Sequence, residues 1–410
     1  MAGAGVIGLL AAYELARWGE QVTIYDRGHP GAACSADNPG WITPSFSGPL
    51  PGPGLVADTI RSMVSPTSPL YVRPRLDLDL ARWLWRFWHH CNLRDYEAAC
   101  VALAMLNRQT IACFDALEAD GVEFEIHRTG LVIVFLSRAR HARHLEGLNW
   151  LLPTLGYAPP RELSVTEVRE MEPGLFPAVV GGLFLEGVHH VRPETLAAGL
   201  ARRLAAMGVQ IHPGVEVTGV VRRGREIRAI ATADGEVEAD RFLLASGAWS
   251  GVLARRIGFP LPLIPGTGYT ITVSRPALSL SHALLLSEAR VACSPFRDAL
   301  RIGGTVEITN LTAGANPRRI TAIRAAASRY LRDWTDGAGQ AEWMGMRSFL
   351  PDGLPAIGRV PGFDNVYVAT GHGMNGVTLA PMTGAVIADL MVRGHVDLDL
   401  RPFDPARFAR

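Results

Sequence analysis

The sequence predicts an α/β fold in which a Rossmann-like unit is interleaved with a second domain built on an antiparallel sheet with helices. Three observations predict it. A glycine-rich turn, a helix and a strand open the chain; strands alternate with turns over residues 261–308; and the last 65 residues return to strand, glycine loop and helix. Two domains are also the expectation from length, since 410 residues exceed the ~100–200 of one domain.

The opening turn reads Gly3-Ala4-Gly5-Val6-Ile7-Gly8. Gly3 and Gly5 permit a tight turn and let backbone approach a pyrophosphate, while Gly8 lets the following helix pack closely on a sheet. That helix carries Leu9, Leu10, Tyr13, Leu15 and Ala16 and closes near Gly19. Its first N–H groups favour phosphate charge. Residues 21–26 then alternate as a strand and end at Asp26, whose carboxylate suits ribose hydroxyls. An acid at this point disfavours a 2′-phosphate and leaves FAD or NAD. Only Met1 and Ala2 precede Gly3, so the central strand reads as nearly missing. The expectation is a start placed too late: about eight upstream residues would raise cofactor content and melting temperature, because a central strand is buried on both faces.

Residues 31–54 are dense in Gly, Pro, Ser and Asn and read as a long loop, with 35–41 placed to touch a cofactor or simply to form surface. Residues 78–118 read as helical and hold Trp83, Trp85, Phe87 and Trp88, a core cluster or, alternatively, a membrane-facing one. Leu131–Phe135 is an apolar run suited to a buried strand, and 193–207 to an Ala/Leu helix. A strand begins at 214–217, a hairpin-rich ladder covers 220–243, an apolar strand ends at Trp249, and a helix covers about 317–332.

Composition excludes several chemistries. The chain has no lysine, which removes a Schiff-base pyridoxal enzyme and a P-loop NTPase. Forty arginines against 39 acids give a net charge of +1, which disfavours a nucleic-acid partner. The five cysteines form no Cys-x-x-Cys, which argues against a disulfide framework or zinc site. His89-His90 and His189-His190 are adjacent and their rings diverge, and His141 with His144 lack a third ligand, so no metal is expected. No Gly-x-Ser-x-Gly elbow is present. With no charged-then-apolar leader or membrane-length apolar run, a cytoplasmic setting is expected.

The C-terminal stretch carries chemistry of its own. Residues 345–358 run through Arg347 in a charge-poor context, and a strand at 366–369 leads to Gly371-His372-Gly373-Met374-Asn375-Gly376 before a helix. Glycines ahead of a helix make a nest of N–H groups for an electron-rich ring edge. Arg347 suits a substrate carboxylate by bidentate bonding, or a structural tie to carbonyls.

These segments, with 244–249 between them, resemble the FAD-dependent amine and amino-acid oxidoreductases of the D-amino acid oxidase superfamily. The resemblance is closest to bacterial D-amino acid dehydrogenases, in the loop 35–41, the Pro-rich 44–54, the Trp-rich 83–88 and Gly268-Tyr269; the tail 371–389 is also similar to glycine oxidase. It implies an FAD domain from 1–48, 190–255 and 345–410, and a substrate domain from 49–189 and 256–344. It implies non-covalent FAD, with no cysteine near the Gly371 loop to link it. Gly3, Ala4, Gly5, Val6, Ile7 and Gly8 would meet the pyrophosphate, and Asp26 and Arg27 the adenosine end. Ser35, Asn38 and Gly40 would run along the cofactor, Val217 would meet adenine, and Gly247 and Trp249 the ribityl side. Gly373, Met374, Asn375 and Gly376 would approach the flavin pyrimidine edge, and Arg347 and Tyr269 would hold a substrate carboxylate. The implied reaction is oxidative deamination of a D-amino acid to a 2-oxo acid and ammonia by hydride transfer to flavin. Electrons would pass to a quinone or another acceptor, with peripheral membrane contact; oxidation of glycine, sarcosine or a cyclic amine such as hydroxy-D-proline is the alternative.

Overall fold

The computed structural model describes residues 1–53 and 68–409; residue 54 of the Pro-rich loop lies outside them. The first sheet runs in the order Gln210–Pro213, Thr23–Asp26, Ala2, Phe242–Leu244, Val366–Thr370 and Ala356–Arg359. All neighbours are parallel except the last pair. Ala2 is therefore the central strand reduced to a stub. Its N–H donates to the Leu243 carbonyl at 2.9 Å, and its own carbonyl accepts from Ala245 at 2.8 Å. On the other side the Tyr25 N–H donates to Met1 at 2.9 Å and the Gly3 N–H to Tyr25 at 2.9 Å. The Met1 amine donates to the Thr23 carbonyl at 2.7 Å, and burial lowers its pKa to about 5.

The glycine-turn helix, Val6–Arg17, packs on the sheet and on the C-terminal helix Gly376–Arg393. The close approach depends on Gly384, where a Cβ would lie 2.7 Å from the Leu10 backbone. Leu9, Leu10, Leu196, Leu200, Leu243, Leu379 and Ile387 are buried together in this core. Each such side chain is worth ~1.5–3 kcal/mol on burial. Gly376–Arg393 is long and apolar enough to cross a membrane by composition, but most of it is buried against its neighbours in the fold.

The second sheet has nine strands. Its path runs Gly339–Phe349, Ile264–Ser274, Ala299–Ile308, Val291–Pro295, Ala283–Leu286, Leu131–Phe135, Gly181–Leu185 and Arg161–Leu163, with Leu70–Val72 beside Ala299–Ile308. The strands between 261 and 308 pair antiparallel with each other as expected, but Ala283–Leu286 pairs parallel with Leu131–Phe135. All five residues of Leu131–Phe135 are buried, which accounts for its unbroken apolar run. Gly339–Phe349 pairs with Ile264–Ser274 along its whole length, from Ile264 with Phe349 to Ser274 with Gly339. The strand thus crosses the expected division at 344/345 and carries Arg347 with the second sheet.

The expected helical stretch 78–118 is three helices: Leu78–His89, Leu93–Asn107 and Thr110–Ala119. The Asn92 side chain caps the second by accepting from the Asp95 N–H at 2.9 Å. The tryptophan cluster divides: Trp83 and Phe87 are core, at 3% and 6% exposure, while Trp85 and Trp88 face outward at 61% and 56%. The strand expected from 214 is a three-stranded meander from Val217 to Glu238, and the helix expected to 332 is Pro317–Ala327.

One buried side chain ties the two sheets together. Arg301 is 1% exposed. Its Nη2 donates to Asp37 at 2.9 Å and to Glu194 at 2.9 Å, its Nη1 to the Asn38 carbonyl at 3.1 Å, and its Nε to Thr272 at 3.1 Å. Asp37 belongs to the 35–41 loop and Glu194 to the first turn of Pro193–Ala206.

Candidate active site

Between the two sheets lies a cavity of about 1010 Å³. One end is the glycine turn. A Cβ at Gly3, which has φ +112, would sit 2.4 Å from the Ala245 carbonyl, and one at Gly8 2.0 Å from the Gly3 carbonyl. Helix, turn and sheet therefore touch backbone to backbone, as the sequence required. Gly5 presents bare backbone to the cavity, with only Ser35 Oγ nearby at 3.3 Å from a Cβ. Ser35 Oγ accepts from the Val6 N–H at 2.9 Å.

Asp26 lines the cavity and also braces the turn: its carboxylate accepts from the Ala4 N–H at 2.7 Å and the Gly28 N–H at 2.8 Å. Each oxygen keeps a lone pair for a ribose hydroxyl. Asp26→Ala is expected to weaken cofactor binding about tenfold or more, from losing charged hydrogen bonds of ~1.5–3 kcal/mol. Flavin content after dialysis checks it, and full retention removes Asp26 from the site. Beyond it, Arg27 stacks on Trp249, 3.7 Å from the ring centroid, and Val217 and Gly247 line the same end.

The 34–41 loop holds its shape through Asn38. The amide donates to the Cys34 carbonyl at 3.1 Å and the Ser35 carbonyl at 3.2 Å, and its oxygen accepts from Gly40 at 2.8 Å. At the opposite end Gly373 (φ +55), Met374, Asn375 and Gly376 line the cavity ahead of the C-terminal helix. His372 is buried there; burial lowers its pKa to about 3, so the ring is neutral near neutrality and shares a 3.1 Å hydrogen bond with Thr383.

Arg347 reaches this cavity from the second sheet. Its one printed hydrogen bond is long, from Nη1 to the Thr305 carbonyl at 3.4 Å, and among the described residues no acid forms an ion pair with it. Burial holds the guanidinium below its ordinary range, and Cys34 is its electrostatic neighbour. A buried arginine without a counter-charge is a receptor for an anion. Gly268 makes room for it: a Cβ there would lie 2.3 Å from Nη1.

Tyr269 corrects the expectation. It does not line the cavity. Its hydroxyl donates to Glu307 at 2.6 Å and accepts from the Asn316 N–H at 3.3 Å, inside the apolar cluster behind the sheet. Successive strand residues face opposite sides, so Gly268 faces Arg347 and Tyr269 faces away. Tyr269→Phe is expected to cost ~1–3 kcal/mol of stability, from a loosened buried bond. KM should stay within about twofold; a large KM rise in steady-state kinetics would return Tyr269 to the substrate.

Thr305 is the residue sequence reading missed. Its φ is +63, an outlier for a β-branched residue. Its hydroxyl is buried without a partner, it lines the cavity, and its carbonyl receives Arg347. The available signal was Gly303-Gly304 just before it, since paired glycines in a strand mark a local distortion. Here the neighbouring pairing shifts register between Thr267 and Tyr269.

Among the described residues no cluster of three or more His, Cys, Asp or Glu is placed to hold a metal. A parallel sheet with a glycine turn, roofed by a second sheet that delivers a buried arginine, defines a dinucleotide-dependent oxidoreductase of small anionic substrates. The chain belongs to the FAD dependent oxidoreductase family DAO, whose model matches residues 2–390. It is 29% identical to a D-amino acid dehydrogenase of Chromohalobacter salexigens over 99% of this chain and 98% of that one. It is 32% identical to a glycine oxidase of Pseudomonas aeruginosa, covering 98% and 97%. The crystal structure of glycine oxidase from Geobacillus kaustophilus superposes with a TM-score of 0.78 at 24% identity, covering 99% and 97%. FAD is the cofactor of this family, and the bare Gly5 backbone, the free lone pairs of Asp26 and the length of the cavity fit it.

Proposed function

We propose that the protein oxidises the α-carbon of a D-amino acid, giving an imino acid that water hydrolyses to the 2-oxo acid and ammonia. The observation that carries this is Arg347, buried in the cavity with no acidic partner among the described residues. Arg347 fixes the carboxylate, and the Thr305 carbonyl fixes Arg347. Holding one end of a small substrate this way restricts the orientation of its α-carbon, the positioning that accelerates a bimolecular step. FAD, when bound, supplies the hydride acceptor. The neutral His372 leaves no charged base at the Gly371–Gly376 loop, so the amine is expected to react in its uncharged form.

A substrate larger than glycine is favoured by the cavity's extension. Past Trp41 and Phe46 it continues to Leu148, Leu151 and Leu285, space that glycine leaves unused. The proposal includes the division into a cofactor domain and a substrate domain, a cytoplasmic setting, and a quinone or other acceptor rather than oxygen. Oxygen activation is helped by a cation near the flavin, and the chain has no lysine to provide one. A peripheral membrane contact would use the outward Trp85 and Trp88.

The test is dye reduction over about twenty D- and L-amino acids with glycine, sarcosine and hydroxy-D-proline, followed by anaerobic reduction and mixing with oxygen or a soluble quinone. D-selective turnover with slow reoxidation by air is expected. Preference for glycine overturns the substrate, and rapid reoxidation with stoichiometric peroxide overturns the acceptor.

A further inference from the structure

The cavity has a second polar pole that the carboxylate site does not use. The hairpin turn between Ala283–Leu286 and Val291–Pro295 places Ser287 and Arg290 on its wall. Ser287 is 3% exposed, and its hydroxyl lines the cavity without a partner. Facing the turn, the helix Arg138–Thr154 contributes Arg140 and Arg143 to the same wall. These two are one turn apart and share a face. Among the described residues neither forms an ion pair.

This pole adjoins the first. Val291, next to Arg290, pairs with Gly304, next to Thr305, whose carbonyl holds Arg347. Adjacent strands lie ~4.8 Å apart, so one small molecule spans the interval. The turn is braced from outside: the Glu288 carboxylate accepts from the Leu136 and Ser137 N–H groups at 3.2 and 3.1 Å and also accepts from the Tyr330 hydroxyl. It points away and does not line the cavity. His144 lies beside Arg140, and burial holds its ring below the usual histidine range.

The balance of charge is one-sided. The acids lining the cavity are Asp26, committed to the glycine turn, and Glu216, next to Val217 at the cofactor end. The substrate half therefore presents four arginines and no acid among the described residues. An amino acid with a neutral side chain offers one carboxylate, which Arg347 satisfies.

We propose that the substrate carries a second carboxylate, held by Ser287, Arg290 and Arg143, so that the preferred substrates are acidic D-amino acids or dicarboxylic amines. This rests on the reading of Arg347 as the α-carboxylate receptor.

The test uses two unreactive acids of equal length, glutarate and valerate, titrated into the flavin-bound protein and followed by the flavin difference spectrum. Glutarate should bind at least tenfold tighter than valerate at low salt, with the advantage shrinking as salt rises. Arg143→Gln and Ser287→Ala should each cut that advantage severalfold. In turnover, D-glutamate should exceed D-glutamine tenfold or more in kcat/KM. Equal affinity for the two acids, or an advantage untouched by both variants, overturns the second subsite. Arg347→Ala separates the two readings. If it weakens both acids while their ratio is one, only the second subsite fails. If it changes neither, the Arg347 reading fails as well.

Discussion

Arg347→Ala raises KM by about a hundredfold or more while flavin content stays at the wild-type level. The buried guanidinium has one long contact, to the Thr305 carbonyl, and faces the cavity. Truncating one partner of a buried charge pair costs ~2–5 kcal/mol, and every 1.4 kcal/mol is tenfold. Flavin is retained because the glycine turn and Asp26 stand on the other sheet, and Arg347 belongs to a strand of the second. Arg347→Lys recovers part of the loss, since a point charge replaces a planar fork. Steady-state kinetics and the flavin absorbance of the purified variants decide it; unchanged KM shows that the carboxylate binds elsewhere.

Arg301→Ala destabilises the protein by ~3–5 kcal/mol, the range for removing one partner of a buried ion pair. It leaves Glu194 with Arg192 alone and frees Asp37, a non-glycine residue held at φ +49. Because Asp37 sits in the cofactor loop, flavin should also dissociate more readily from this variant. The same network sets a pH dependence. Hydrogen bonds from Arg301 and Arg192 outweigh burial and lower the Glu194 pKa from 4.5 to about 2. A depressed carboxylate contributes stability that is complete above the unfolded value and is lost as pH falls through the folded one. The wild type should therefore lose stability between about pH 5 and pH 2, and Arg301→Ala should show a shallower slope there. Denaturant melts at several pH values measure both; a parallel pH slope in the variant means that Glu194 is not tied to Arg301.

Local signals carried much of the architecture. The turn Gly3–Gly8, the helix after it and Asp26 are adjacent in sequence, and each answers to backbone geometry within a few residues. The Gly371–Gly376 loop was legible for the same reason. Leu131–Phe135 was legible as a buried strand because both of its faces are covered, but its parallel partner, Ala283–Leu286, is about 150 residues away and left no mark on it. The helical stretch 78–118 was legible as helix but not as three, since Asn92 ends one and caps the next within a pattern that otherwise continues. The tryptophans of that stretch shared a composition, and only packing separated Trp83 from Trp85 and Trp88.

The sequence by itself determined the cofactor turn, the exclusion of lysine chemistry and Arg347 as a charge in an apolar setting, because these depend on residue type and near neighbours. Tertiary structure decided which side each strand residue faces. Gly268 and Tyr269 are adjacent, yet pleating sends one toward Arg347 and the other into the core against Glu307. Thr305, Arg301 and the arginine-lined wall exist as functional groups only through strand registers and helix contacts between distant segments. Such register is set by the burial of whole faces, and no short stretch of sequence encodes it.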